Sequence, residues 1–203
     1  MGLVFALAGS LLLTWPVNSY ASSCTLLLKN LSVHRLLPSR AIKRKSKAPL
    51  IQQSTNYTCG PAALLSWLKS KGDYSASELS LAKKLNTTPT HGTHHADFIK
   101  GINMLGYEAQ FIENLNIKSL RDFIKKGYGV IVNIQLEGGG HWALLVDISP
   151  SGKTLTLMDP WLAKKGYRKL RRVNFENNWF DFFGPEKFRV DQAAIIISPI
   201  KNI

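Results

Sequence analysis

A chain of 203 residues is long enough for one domain with a substantial core and too short to expect two. Hydrophobic residues make up 45% of it and five are tryptophan, which excludes intrinsic disorder and places it among globular proteins. A net charge of +13 points towards anionic surfaces, polyanions or acidic substrates, but no nucleic-acid motif accompanies it, so specific nucleic-acid binding is not expected. Two cysteines exclude a disulfide framework.

The chain opens on an uncharged apolar run, Met1 to Trp15, broken by Pro16 and followed by small residues at Ser19-Tyr20-Ala21. The run is shorter than the about twenty residues a membrane span needs. It reads as a secretory signal over 1–21, with an uncleaved anchor as the alternative, so the protein is expected to be exported, to the periplasm or beyond. Ala21-Ser22-Ser23-Cys24 loosely resembles a lipoprotein box, with Ala where Leu is usual, so lipid anchoring at Cys24 is not the expectation. Residues 22–49 lack periodicity and gather Lys29, Arg35, Arg40, Lys43, Arg44, Lys45 and Lys47 between breaks at Pro38 and Pro49. They read as a basic linker or arm able to contact anionic surfaces, and the domain is expected over 50–203.

Within the domain an apolar helix is predicted from Cys59 through Ala62, Ala63, Leu64, Leu65, Trp67 and Leu68, with Pro61 in its first turn and Gly72 past its end. Ser75-Ala-Ser-Glu78 predicts a capping box for a second helix. Thr93 is expected to cap a third, carrying Phe98, Ile102 and Leu105 and ending at Gly106. Tyr107 to Ile112 alternates like a strand, and Asn116 caps a fourth helix stopped by Gly127. From Val130 onward strands dominate: Val130 to Ile134, one opening at His141, one closing at Asp159, and Ala193 to Ile197. Helices first and antiparallel strands afterwards predict an α+β fold with segregated layers. The basic cluster Lys164, Lys165, Arg168, Lys169, Arg171 and Arg172 reads as a solvated face.

Chemistry enters with Cys59. A thiol at a helix N-terminus meets unpaired N–H groups and the positive end of the dipole, which favour its thiolate. Gly60 is expected to leave room for a substrate backbone, and Gln53, six residues earlier, offers a side-chain N–H for an oxyanion. The rival reading of Cys59 is a buried core cysteine. His141 begins one strand of a predicted hairpin and Asp159 ends the other, across a turn at Ser149–Lys153, so the two are neighbours, as an Asp-oriented general base requires. His91, His94 and His95 lie within five residues, but no acidic or cysteine ligand accompanies them at metal spacing and Gly92-Thr93 already suits a helix cap; no metal or other cofactor is expected. Trp142 reads as core or pocket wall, Trp161 as packing or a shield for the His–Asp pair, and Gly138-Gly139-Gly140 as a mobile loop near the cleft.

Gln53, five residues, Cys59-Gly60-Pro61-Ala62, then Gly92-Thr93 before a helix, His141-Trp142 on a strand and Asp159-Pro160 after the next together resemble the bacteriocin-processing (double-glycine leader) cysteine peptidases of the papain-like clan, in their stand-alone form. The resemblance runs from about Ile51 to Ile197. It implies a papain-like fold with helices packed on an antiparallel sheet, Cys59 as nucleophile, His141 as base and acid, Asp159 as its orienter, Gln53 as oxyanion donor, and a peptide or protein substrate. The transporter-linked members carry membrane-spanning and ATP-binding segments; this chain has no length for them and no phosphate-cradling glycine loop with Lys, so the double-glycine specificity does not transfer. The expected activity is peptide or related amide hydrolysis. A non-catalytic peptide-binding module and an acyl-transferring relative are the alternatives.

Overall fold

The computed structural model describes residues 48–136, 139–183 and 188–201. They belong to the unit Lys45–Ile203; the other unit, Met1–Arg44, lies outside them, and with it the predicted signal, Cys24 and almost all of the basic arm.

Eight strands follow one another as β1 (Tyr107–Ile112), β2 (Gly129–Leu136), β3 (Gly139–Ile148), β4 (Thr154–Met158), β5 (Arg168–Arg171), β6 (Phe180–Phe183), β7 (Phe188–Asp191) and β8 (Ala194–Lys201). Six form one sheet in the order β1-β8-β2-β3-β4-β5, every pair antiparallel, and β6 and β7 form a separate hairpin. The last strand thus returns to lie between β1 and β2.

Strand alternation sorts the core into two layers. Ile131, Trp142, Leu144, Met158, Ile195 and Ile197 pack against the helices α1 (Cys59–Ser70), α2 (Glu78–Lys84) and α3 (His95–Asn103). Val130, Val132, Ala143, Leu145, Leu157 and Ile196, one step out of phase, pack instead with Ile117 and Leu120 of α4 (Ile117–Lys125) and Phe175 of α5 (Arg172–Asn178). Each buried aliphatic side chain contributes about 1.5–3 kcal/mol, so a one-residue slip of β2 would misplace both layers at once. Helices and antiparallel sheet are as predicted, and α5 and β5 to β7 are elements that the sequence pattern did not mark.

Two caps sit elsewhere than predicted. Ser77, not Ser75, begins α2: its side chain accepts from Ser80 N–H while Ser80 Oγ accepts from Ser77 N–H. Ser75 bonds Asp73 instead, and Glu78 reaches out to Ser54. Helix α3 is capped by His94, whose Nδ1 accepts from Ala96 N–H, because Thr93 is buried and its hydroxyl meets Thr87 at 2.8 Å. His95 stacks on Phe111. Two of the three clustered histidines thus serve this helix start. Asn116 caps α4 as expected, accepting from Ser119 N–H at 2.9 Å.

Candidate active site

Helix α1 places Cys59 at its first residue, buried at 7% exposure, as a free thiol. Thr58 precedes the helix but gives it no side-chain cap; its hydroxyl instead accepts from Thr55 N–H at 3.2 Å. The first-turn N–H groups therefore have no side-chain acceptor, and Pro61 removes one of them, so the donors left at Cys59 and Gly60 are the ones beside the sulfur. Gly60 serves a different purpose from the one expected. A Cβ there would meet Thr93 Oγ1 at 2.8 Å and Phe98 Cε1 at 3.3 Å, so the glycine lets α1 close on the loop before α3 rather than making room for a substrate.

The hairpin of β3 and β4 brings His141 and Asp159 together as predicted. With Leu144 opposite Met158, the start of β3 lies beside the end of β4. His141 Nε2 and Asp159 Oδ1 are 2.7 Å apart, with the histidine 8% exposed and the aspartate fully buried. Burial opposes charge on the His141 ring, but the hydrogen bond to Asp159 and the interaction with the Cys59 side chain outweigh it and raise its pKa to about 9. Burial likewise opposes the Asp159 carboxylate, and hydrogen bonds and charge from His141 and then Arg168 overcome it, lowering its pKa to about 2. Both directions favour one state: carboxylate beside imidazolium.

Gln53 is held near this pair by the backbone. Its N–H donates to Pro160 C=O at 3.1 Å, while Gln52 donates to Trp161 C=O and accepts from Lys164 N–H. The Gln53 side chain, 7% exposed, donates Nε2 to Thr55 C=O at 2.6 Å and leaves Oε1 buried without a partner among the described residues. Exchanging the amide atoms would set two oxygens face to face, so the orientation is fixed. One Nε2 hydrogen is spent within the loop.

Trp142 is core: it is buried, edge-on to Phe98, and its Nε1 donates to Thr93 C=O. Trp161 is 55% exposed, so its ring covers the pair incompletely; its backbone N–H contributes more, donating to Asp159 Oδ1 at 2.9 Å. Of the three glycines, Gly138 lies outside the described residues. Gly140 packs on the Asp181 carboxylate, which accepts from Asn133, Gln135 and Phe182 N–H and whose pKa is raised by burial despite those bonds. A cavity of about 580 Å³ lined by Trp67, Lys71, Leu145 and Tyr167 opens at the other end of α1, and none of Cys59, His141, Asp159 or Gln53 lines it.

Sequence reasoning missed Arg168. Counted there as one of a solvated basic cluster, it points inward and donates Nε to Asp159 Oδ2 at 2.5 Å. The alternation of Arg168-Lys-Leu170 was the available signal, since it marks a short strand one partner away from Asp159.

A thiol at an uncapped helix start, a histidine between it and a buried aspartate, and helices laid on an antiparallel sheet define a cysteine-peptidase type of fold and site. The chain belongs to the Peptidase C39 like family, whose model matches residues 45–184. Among solved structures it is similar to the peptidase domain of Streptococcus ComA, a bi-functional ABC transporter of a quorum-sensing pathway, at TM-score 0.58 and 20% identity, covering 75% of this chain and 99% of that one. A double-glycine motif protease of an AMS/PCAT transporter, solved with its leader peptide, matches at TM-score 0.57 and 18% identity over 77% and 96%. A C39-like peptidase from Bacillus anthracis matches at 0.56 and 15% over 76% and 96%. At these identities the likeness shows the shared papain-like fold. No curated protein matches the chain. No helix among the described residues is long and apolar enough to cross a membrane.

Proposed function

We propose that the protein is an exported cysteine peptidase that hydrolyses peptide bonds through an acyl-enzyme, with Cys59, His141 and Asp159 as its triad and Gln53 as an oxyanion donor. The observation that carries this reading is the buried His141–Asp159 hydrogen bond, with Cys59, at the first residue of α1, acting on the same imidazole ring. His141 takes the thiol proton as the sulfur attacks the peptide carbonyl carbon; the C–N bond breaks as His141 passes that proton to the leaving amine. Water, deprotonated by the now neutral imidazole, then releases the acid, and the proton returns to the sulfur. The oxyanion of each tetrahedral intermediate is stabilised by Cys59 N–H and Gln53 Nε2, each such donor being worth roughly 3–4 kcal/mol. A peptide substrate agrees with the leader peptide held by the similar double-glycine protease. The apolar run at residues 1–15 supports export, and the basic arm supports contact with anionic surfaces that salt would weaken.

The test is a thiol-directed activity probe together with a peptide library. Cys59 labels and peptides are cut, and Cys59→Ala lowers kcat by about a million-fold, as loss of the nucleophile does in other hydrolytic triads. Labelling without cleavage of any peptide would instead favour a binding module with a peptidase-like fold.

A further inference from the structure

We infer that Arg168 is a positioning residue of this site, a fourth member that fixes Asp159 from the side opposite His141. The inference rests on the triad reading above and adds to it a residue that neither the motif nor the resemblance contains.

Asp159 is fully buried, and a buried carboxylate must be paired on both oxygens or be displaced towards its neutral form. Oδ1 accepts from two groups, His141 Nε2 at 2.7 Å and Trp161 N–H at 2.9 Å. Oδ2 is different: Arg168 Nε, at 2.5 Å, is its only recorded donor among the described residues. The strand register makes this contact. Arg168 stands opposite Leu157, two residues before Asp159, and Arg172 N–H donating to Lys153 C=O closes the far end of the β4–β5 pair. The guanidinium is itself mostly covered, at 22% exposure, so its bond to the carboxylate is shielded from solvent, unlike those of the exposed Lys164, Lys165 and Lys169 around it.

Rotation of the Asp159 carboxyl group would move Oδ1 and with it the His141 ring. A donor at Oδ2 blocks that rotation. It also keeps Asp159 ionised at low pH, the direction in which Arg168 already acts. The ionisable groups facing the pair are Cys59 from α1 and Arg168 from β5. Because Arg168 acts through Asp159, its loss should affect turnover and the acid side of the pH profile, with little effect on substrate affinity.

Arg168→Gln, Arg168→Lys and Lys169→Gln would be compared by kcat and KM across pH, with the Asp159 carboxyl followed by carbon NMR. Arg168→Gln is expected to lower kcat about ten- to a hundredfold at neutral pH, the cost of one hydrogen bond to a charged group, with KM little changed. Its acid limb and the Asp159 titration both move to higher pH. Arg168→Lys restores the acid limb and only part of kcat, because charge returns without the planar Nε donor. Lys169→Gln changes neither. Wild-type kcat and acid limb in Arg168→Gln would overturn the inference. If that variant does not fold, wild-type kcat in Arg168→Lys would do so. The NMR readout needs no substrate: a wild-type protein that cuts no peptide but whose Asp159 titration depends on Arg168 would sink the peptidase reading alone.

Discussion

Asp159 is fully buried, accepts three hydrogen bonds and has cationic partners on both oxygens, whereas Gln53, buried almost as well, leaves its side-chain oxygen without a partner among the described residues. The two lie on loops joined backbone to backbone at Gln53 N–H and Pro160 C=O, so the contrast exists within one small region. A buried acceptor without a donor costs about 1–3 kcal/mol. The His141–Asp159 pair is therefore electrostatically complete within the described residues, and Gln53 is held by its main chain while its side-chain oxygen stays under-satisfied.

The sharpest way to break this comparison is Gln53→Ala. If the side chain acts on the transition state, kcat falls about 10²–10³-fold, while the thermal midpoint hardly moves because an unsatisfied acceptor leaves with it. An unchanged kcat in peptide cleavage would remove Gln53 from the mechanism.

A pH titration examines the base side next. The raised pKa of His141 contributes stability that is complete below its ordinary 6.5 and is lost as pH rises through about 9. The lowered pKa of Asp159 contributes stability present above 3.8 and lost as pH falls through about 2. Urea midpoints should therefore form a plateau between these limits. If His141 carries its proton to the leaving amine, as proposed, kcat/KM should fall about tenfold per pH unit above about 9. An alkaline limb near 6.5 would mean that the imidazolium is not held by its neighbours.

The smallest effect concerns Gly60. Gly60→Ala sets a methyl group 2.8 Å from Thr93 Oγ1, on a loop already fixed by Trp142 Nε1 at the Thr93 carbonyl. Overpacking of this kind costs about 1–3 kcal/mol, read as a lowered urea midpoint. A neutral midpoint with a raised KM would return Gly60 to the substrate-access role expected from sequence.

What could be read ahead of the structure was local. Cys59 at a helix start follows from the apolar period after it, and the nearness of His141 and Asp159 follows from two short strands and a turn of Ser, Pro and Gly. The strand over Val130 to Ile134 was legible as an apolar run, while its two-sided burial between the layers was not. Arg168 was not, because its role depends on β5 pairing with β4, and a four-residue strand inside a run of like charges gives almost no periodic signal. The helix caps were displaced for a related reason. Ser75 and Ser77 are equivalent as letters, and Asp73 decides between them by bonding Ser75. Thr93 suits a cap by type, yet burial against Gly60 and Thr87 takes it away. The orientation of the Gln53 amide depends on the Thr55 carbonyl two residues on, a detail of loop geometry that residue type does not carry.

Gln52 joins the loop after β4 twice, to Trp161 and Lys164, spanning 109 and 112 positions of the chain. In the order of synthesis Cys59 and its helix come first, and Asp159, Trp161 and Lys164 come about a hundred positions later. A chain that ends before Asp159 would carry Cys59 with His141 unpaired and with Gln52 and Gln53 lacking their partners at Pro160, Trp161 and Lys164. The arrangement of Cys59, His141 and Asp159 thus belongs to the finished fold, not to any part of the chain made before it.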